Sequence, residues 1–374
     1  MADHPLPDRL RIAAHNGAPV WGGAEIAVSR LLAGLGRRGH DVRFFVARDH
    51  VARRAAEFGL ETELLHVGGD VALHHAIRVC RALRRHRSQV VIVGTFRKLL
   101  HVAAGARMAR VPVISRIGLE GDEPRNAKYR FLFRHWVDRV VVSSRTMKEA
   151  YLNAMPELEG RVAHVAKGVA PPTTSGSRAA SRERLGIPET SVVVTSLARL
   201  VPDKRIDRFI DVIDALPPHV LGLVAGDGPL RADLERYAAE RGSRVRLLGH
   251  IQRVGDLLAA SDLVLVTSRR ESMANAMLEA MALGVPVVST PVDGAREVLV
   301  PDENEEPPGA VTTDFDVPSI VASVRPLVAD PASRAAMGRA AARRARLRFS
   351  EDAMLDGWER VLRASIEPMS GRSS

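Results

Sequence analysis

Glu271 and Glu279 stand eight residues apart in the run Glu271-Ser272-Met273-Ala274-Asn275-Ala276-Met277-Leu278-Glu279. Upstream, Leu263–Val266 is an apolar run of strand type; downstream, Gly284 followed by Val285-Pro286 is a helix stop. The first carboxylate is thereby placed in a loop at the C-terminal end of a strand. The second is placed about one turn into a helix over Ala274–Leu283. In open α/β sheets that edge is where ligands bind. A helix opening near Asn275 presents free N–H groups to a phosphate. Glu279 can accept two hydrogen bonds from a ribose diol, and Glu271 one from a sugar hydroxyl. The bland reading is a solvated loop glutamate and a helix glutamate in an ion pair; the strand, Gly and Pro context weighs against it.

Arg199 and Lys204 follow the apolar run Val192–Ser196 and flank the start of a helix. A guanidinium fork and a compact ammonium are complementary ways to stabilise charge growing on a departing diphosphate. The alternative is two surface cations in a basic chain. Gly22-Gly23 lies between an early strand and a helix, where a phosphate-cradling turn would sit, although a plain turn reads equally well. The Gly-x-Gly-x-x-Gly dinucleotide spacing is absent. Asp314-Phe315-Asp316 stands just before a helix and reads as an N-cap rather than as a metal-holding pair.

These residues need a scaffold. Short apolar runs at Leu10–Ala14, Val42–Val46, Val90–Val93, Val111–Ser115 and Arg139–Ser143 alternate with helical patterns at Ala24–Arg37, Arg78–Arg87 and Arg125–Trp136. A Pro/Thr/Ser/Gly-rich stretch then interrupts the rhythm. A second series follows: strands Val192–Ser196, Val220–Val224, Val245–Leu248, Leu263–Val266 and Val287–Ser289, with helices at Lys204–Leu216, Pro229–Arg241 and Val317–Val328. Strand–helix alternation predicts α/β architecture with parallel, doubly wound sheets. The expected division is 1–168, a linker over 169–185, a second domain over 186–347, and a C-terminal helix with tail over 348–374.

The chain has 374 residues, 46% hydrophobic and 26% charged, enough for two cores. No apolar run reaches a membrane span, and Met1–Pro7 has no signal-peptide core, which gives a cytoplasmic expectation. Cys80 is alone, so neither a disulfide framework nor a cysteine metal site is expected. The net charge of +10 admits an anionic membrane, nucleic acid or a nucleotide-sugar as partner. With 49 Arg against 5 Lys, much of the charge reads as a solvated arginine surface, and Lys204 becomes harder to dismiss as background. Lys128, Arg130, Arg134 and Arg139 interleave with Tyr129, Phe131, Phe133 and Trp136. That segment suits a membrane interface, single-stranded nucleic acid, or simply a helix with one face in the core.

The Glu271/Glu279 run resembles the Glu-x7-Glu signature of retaining glycosyltransferases of family 4, whose fold is GT-B: two Rossmann-like parallel-sheet domains facing a central cleft. Ser196-Leu197-Ala198-Arg199-Leu200-Val201-Pro202-Asp203-Lys204 is similar to that family's diphosphate-binding segment. Ala225-Gly226-Asp227-Gly228-Pro229 is similar to its Gly-Asp-Gly-Pro turn. Leu248-Gly249-His250-Ile251 resembles its next strand end, and Trp21-Gly22-Gly23-Ala24-Glu25 its N-terminal loop. The resemblance spans residues 10–365. It implies transfer of a sugar from a nucleotide-diphosphate donor to a saccharide or lipid-linked acceptor, in cell-envelope polysaccharide or lipopolysaccharide synthesis. No metal and no separate cofactor are implied, and no nucleic acid. Glu271, Arg199 and Lys204 take catalytic roles by this resemblance. Donor contacts fall on Gly22, Gly23, Arg199, Lys204, Gly226, His250, Ile251, Glu271, Ser272, Met273, Ala274, Asn275, Ala276 and Glu279. One departure stands out: Ile117 occupies the place of the family's histidine after the Val111–Ser115 strand, and Arg116 becomes the candidate on the acceptor side. The rival readings are a GT-B sugar-nucleotide epimerase and a non-catalytic basic protein that binds membrane or nucleic acid.

Overall fold

The computed structural model describes residues 8–18, 21–67, 73–94, 98–118, 126–271, 273–303 and 305–367. It divides into two units, Met1–Ala166 with Met354–Ser374, and Lys167–Ala353.

The first unit runs β1 (Arg11–Asn16), α1 (Gly23–Arg37), β2 (Asp41–Val46), α2 (Asp49–Ala56), β3 (Thr62–Leu64), α3 (Leu73–Arg85), β4 (Val90–Val93), α4 (Leu99–Ala109), β5 (Val113–Arg116), α5 (Ala127–His135), β6 (Arg139–Val142), α6 (Arg145–Ala154) and β7 (Val162–His164). The second runs α7 (Arg178–Arg184), β8 (Val192–Leu197), α8 (Ile206–Asp214), β9 (Val220–Ala225), α9 (Arg231–Glu240), β10 (Val245–Gly249), α10 (Val254–Ala260), β11 (Leu263–Val266), α11 (Asn275–Ala282), β12 (Val287–Ser289), α12 (Asp293–Leu299), β13 (Ala310–Val311), α13 (Val317–Ala329) and α14 (Pro331–Arg348). The last helix, α15 (Glu351–Ile366), returns the chain to the first unit.

The first unit holds a seven-stranded parallel sheet ordered β3-β2-β1-β4-β5-β6-β7. Its central strands are apolar throughout because helices cover both faces. Ile12, Ala14, Ile92 and Ile114 turn toward α1 and α15, where Leu31, Leu32, Trp358 and Leu362 complete one core. Ala13, Val91, Val93 and Val113 turn the other way, onto Val79, Leu83 and Val102 of α3 and α4. Helices α3 and α4 touch at Gly105, where a Cβ would lie 2.5 Å from the Ala76 carbonyl oxygen. α15 is further tied down by Arg38 to Asp356 (2.6 Å) and by His40 to Glu359 (3.2 Å).

The second unit holds a six-stranded sheet ordered β10-β9-β8-β11-β12-β13. Strand order reverses between β1 and β4 in the first unit and between β8 and β11 in the second. At such switch points the neighbouring loops part and leave a crevice at the C-terminal strand ends. The two Rossmann-like parallel sheets are the architecture of GT-B proteins.

Several elements differ from expectation for local reasons. The stretch read as a linker contains α7, capped by Ser177, whose hydroxyl accepts from Ala180 N, and held by buried Arg182, which reaches Asp262 at 2.6 Å and the Ser191 carbonyl at 3.0 Å. The helix expected to open at Lys204 opens at Ile206: Pro202–Lys204 form a 3-10 turn, and Arg205 adopts a left-handed φ of 50°. β5 starts at Val113 rather than Val111, because Val111 N bonds the Ala106 carbonyl and closes α4. α3 begins at Leu73, ahead of the expected Arg78. Among the described residues no helix is long and apolar enough to cross a membrane.

Candidate functional site

The switch point of the second unit gathers most of the predicted residues. Arg199 and Lys204 lie beyond the end of β8, and Glu271 beyond the end of β11, its neighbour. Lys204 Nζ donates to the Glu271 carboxylate in a short contact, although 67 residues separate the two. The pair is mostly enclosed, with side-chain exposures of 23% and 16%. Three further bonds sew the loops that carry it. Thr267 Oγ1 donates to the Lys204 carbonyl (2.9 Å), Arg269 N to the Asp203 carbonyl (2.8 Å), and Thr290 Oγ1 to the Ser268 carbonyl (2.6 Å).

Gly226 fixes the approach of a third loop. Its φ is +145°, and a Cβ there would lie 1.9 Å from the Ala198 carbonyl oxygen. Only glycine lets β9's end press against the segment that carries Arg199. Arg199 itself is exposed, and among the described residues its guanidinium has no hydrogen-bond or ion-pair partner. His250 is exposed and Ile251 half-buried just past β10.

α11 opens at Asn275 with Ala274 as its N-cap, which has no capping side chain, and no side-chain cap hydrogen bond is made among the described residues. Its leading N–H groups remain available to an anion, and the helix dipole favours one there. Met273 is fully buried, which anchors the turn, and its carbonyl accepts from Lys167 Nζ at 2.7 Å. Ala276, Met277, Leu278, Ala280 and Met281 are buried, while Glu279 is half-buried, five residues into the helix. Ser272 lies outside the described residues.

Lys167, just ahead of the stretch read as a linker, was not among the site residues expected from the sequence. The scarcity of lysine was the available signal: with 5 in the chain, Lys167 and Lys204 both attach to the loop after β11. Thr267 carried no signal, because its role depends on a contact 63 residues distant.

Gly22, Gly23 and Arg116 belong to the first unit. Gly22 is the extended N-cap of α1, and its N–H donates to Glu25 Oε2 at 2.9 Å. Arg116 is half-buried at the last position of β5; burial pushes its guanidinium down to about 10, against the opposing pull of the Glu25 carboxylate. Glu120 and Asp122, the acidic residues that follow it in sequence, lie outside the described residues. Ile117 is buried.

Asp316 caps α13, accepting from Ser319 N at 2.8 Å. Among the described residues no cluster of three or more His, Cys, Asp or Glu could hold a metal. α5 turns Leu132 and Phe133 into the core. Its other face leaves Phe131 52% exposed, beside His135 and Trp136, with Arg130 bonded to the Ala154 carbonyl at 2.8 Å. Arg125 lies outside the described residues.

With this geometry in view, residues 177–344 match the family described as Glycosyl transferases group 1. The chain is 34% identical over 182 residues to a GDP-mannose-dependent monoacylated alpha-(1-6)-phosphatidylinositol monomannoside mannosyltransferase of Corynebacterium glutamicum, covering 45% of this chain and 46% of the relative. It spans about half the length of that relative and of others at similar identity. It is 26% identical over 343 residues to the lipopolysaccharide core biosynthesis glycosyltransferase LpsD of Rhizobium meliloti, covering 90% of this chain and 94% of the relative. In fold it is similar to Anabaena Alr3699/HepE, crystallised with UDP and glucose: TM-score 0.80, 20% identity, 95% of this chain and all (100%) of that one.

Proposed function

We propose that this protein is a retaining glycosyltransferase that moves a hexose or related sugar from a nucleoside-diphosphate donor to a saccharide or lipid-linked acceptor of the cell envelope. The observation that carries the reading is the Lys204–Glu271 pair at the switch point of the second unit, ahead of a helix start without a side-chain cap. A cation and a carboxylate in contact are matched to the two halves of a sugar nucleotide. Lys204, with Arg199, holds the diphosphate, and the α11 N-terminus binds one of its phosphates. Glu271, released from Lys204 by the incoming phosphate, accepts from a sugar hydroxyl and stabilises positive charge at the anomeric carbon. Glu279 accepts from the ribose hydroxyls.

Transfer breaks the bond between the anomeric carbon and the diphosphate oxygen, and the electron pair leaves with the diphosphate. The acceptor hydroxyl attacks from the same face, and its proton passes to the departing phosphate oxygen. In this reading no enzymic base is required, and the two cations carry the electrostatic task without a metal. The envelope setting draws on the relatives, whose names place them in lipopolysaccharide core and phosphatidylinositol mannoside synthesis. Attachment to the anionic inner leaflet is part of the same reading and draws on the exposed Phe131 and its basic neighbours.

The test is a donor screen with UDP-, GDP-, ADP- and TDP-sugars, reading thermal shift and hydrolysis, with and without EDTA. One donor should stabilise the protein and be hydrolysed slowly in either condition. Absence of any donor effect would return the chain to a non-catalytic basic protein. Interconversion of the sugar without acceptor would make it an epimerase.

A further inference from the structure

The loop that leads from β11 into α11 carries Glu271, and its two ends are held by different means. On the strand side, Thr267 and Arg269 bond the carbonyls of Lys204 and Asp203, and Thr290 bonds that of Ser268. In the middle, Glu271 is tied to Lys204. On the helix side, Met273 is fully buried and its carbonyl accepts from Lys167 Nζ at 2.7 Å.

Lys167 is built as a fixed point. It is half-buried and is the first residue of the second unit, so the bond lies within that unit. Two residues on, Val169 N donates to the Phe349 carbonyl at 2.9 Å, and Val169 forms a parallel bridge with Ser350. Phe349 is the C-cap of α14. The backbone that carries the ammonium is thus pinned to the end of α14, independently of the loop it holds. A charged donor on a carbonyl makes a bond about twice as strong as a neutral one. The Met273 carbonyl also shares a rigid peptide plane with the nitrogen of Ala274, the N-cap of α11. Holding that oxygen fixes the plane, and with it the path of the chain from Glu271 into the helix.

Donor binding changes which of these tethers remain. In the proposed reading the incoming phosphate takes Lys204 away from Glu271. The strand-side bonds persist, but the last of them is at Arg269, two residues short of Glu271. The Lys167–Met273 bond lies two residues beyond it and uses no group that the diphosphate takes. We propose that Lys167 is a positioning residue that holds Glu271 against the sugar once Lys204 has turned to the diphosphate. Its effect on turnover rests on the proposed role of Glu271, and its effect on the loop rests on the bond to Met273 alone. In the free protein the Lys204–Glu271 pair supports the same loop, so loss of Lys167 is felt in turnover more than in donor binding.

The experiment compares wild type, Lys167→Met and Lys167→Arg, each with and without Glu271→Gln, as whole proteins. Rates with the sugar nucleotides of the donor screen give kcat and KM. Lys167→Met should lower kcat by about tenfold or more, the effect of losing one hydrogen bond from a charged group, with KM within about threefold of wild type. Lys167→Arg keeps a charged donor and should retain most of the turnover. In the Glu271→Gln background, Lys167→Met should cost at most about twofold more, because residues that act as a unit are not additive. A second measurement needs no donor. Hydrogen exchange of peptides spanning 267–276 should quicken when Lys167→Met is added to Lys204→Met, where the tether at Glu271 is already gone, and the rest of the second unit should exchange as before. The proposal is overturned if Lys167→Met keeps wild-type kcat, if its loss is undiminished in the Glu271→Gln background, if Lys167→Arg is impaired as much, or if exchange is unchanged or quickens across the whole unit. If wild type turns over no sugar nucleotide, the transferase reading falls, and hydrogen exchange alone decides whether Lys167 holds the loop.

Discussion

Replacing Lys204 by Met tests whether the Lys204–Glu271 pair is chemistry or masonry. Both side chains are more than three-quarters enclosed. Exposed pairs contribute about 0–1 kcal/mol, and removing one partner of a buried pair costs about 3–5 kcal/mol. This pair lies between those limits, so Lys204→Met should destabilise the second unit by about 1–3 kcal/mol, chiefly through the carboxylate left without its cation. At about 2–4 °C per kcal/mol for a domain of this size, the melting point should fall by roughly 2–12 °C. Turnover should fall further, by about 100- to 1,000-fold, because a fixed charge facing the leaving group is lost. Adding Glu271→Gln removes the orphaned charge. In the double variant, stability should return to within about 1 kcal/mol of wild type, since contacting residues couple strongly. Turnover should stay low. The assay is thermal unfolding alongside release of nucleoside diphosphate for the four proteins of the cycle. If the double variant recovers both stability and turnover, the pair is structural and the assignment of Lys204 to the diphosphate is wrong.

Glu279→Gln keeps volume and loses a charged acceptor, so nucleotide affinity measured by calorimetry should fall about tenfold or more with the melting point unchanged. Equal affinity would remove Glu279 from the ribose. Lys128→Glu and Arg134→Glu with Phe131→Ser should abolish salt-sensitive co-sedimentation with anionic vesicles, since each cation near such a surface contributes about 1 kcal/mol. Arg130 is left in place because it bonds the Ala154 carbonyl. Unaltered sedimentation would leave α5 as ordinary core structure. Burial, and secondarily Lys98 and His101, lower His15 from 6.5 to about 4, with the nearby Leu65 carbonyl opposing without a well-formed hydrogen bond. The unfolded chain then binds more protons between those two values, so the stability that His15 contributes is whole above about pH 6.5 and gone by about pH 4. The difference is about 3 kcal/mol, and His15→Gln should flatten that part of the pH–stability curve; an unchanged slope would place the acid sensitivity elsewhere.

What the chain discloses by itself is whatever a local pattern can hold. The runs at Val90–Val93 and Leu263–Val266 read as strands because a parallel strand covered on both faces is apolar at every position. The Glu271/Glu279 spacing and the Gly284 stop placed one carboxylate in a loop and the other in a helix, where they are found. Strand order leaves no such trace. Nothing in residues 192–271 announces that β8 and β11 are neighbours, so the Lys204–Glu271 contact became visible only in three dimensions. Lys167, 106 residues from Met273, was hidden for the same reason. α7 was hidden differently: a serine- and glycine-rich stretch looks like a connector until one sees that Arg182 anchors it from within.

The arginines require the largest revision. Their number suggested a solvated surface, yet many are built into the frame. Arg161 donates to the carbonyls of Phe133 (2.7 Å), Arg134 (3.0 Å) and Val137, closing the turn between α5 and β6. Arg244 does the same at the end of α8, reaching the carbonyls of Ile213 (2.6 Å), Leu216 (2.9 Å) and Pro217 (2.5 Å). A planar fork with five donors can bind several carbonyls at once, which a single ammonium on a flexible stem does less well. A chain that uses arginine as mortar accumulates positive charge as a by-product of its fold, so part of the +10 needs no polyanion to explain it. The lysines then become the more informative cations. Two of the five meet at the loop after β11, and a third lies over the end of β1, so three of them sit at switch points where α/β sheets take their ligands.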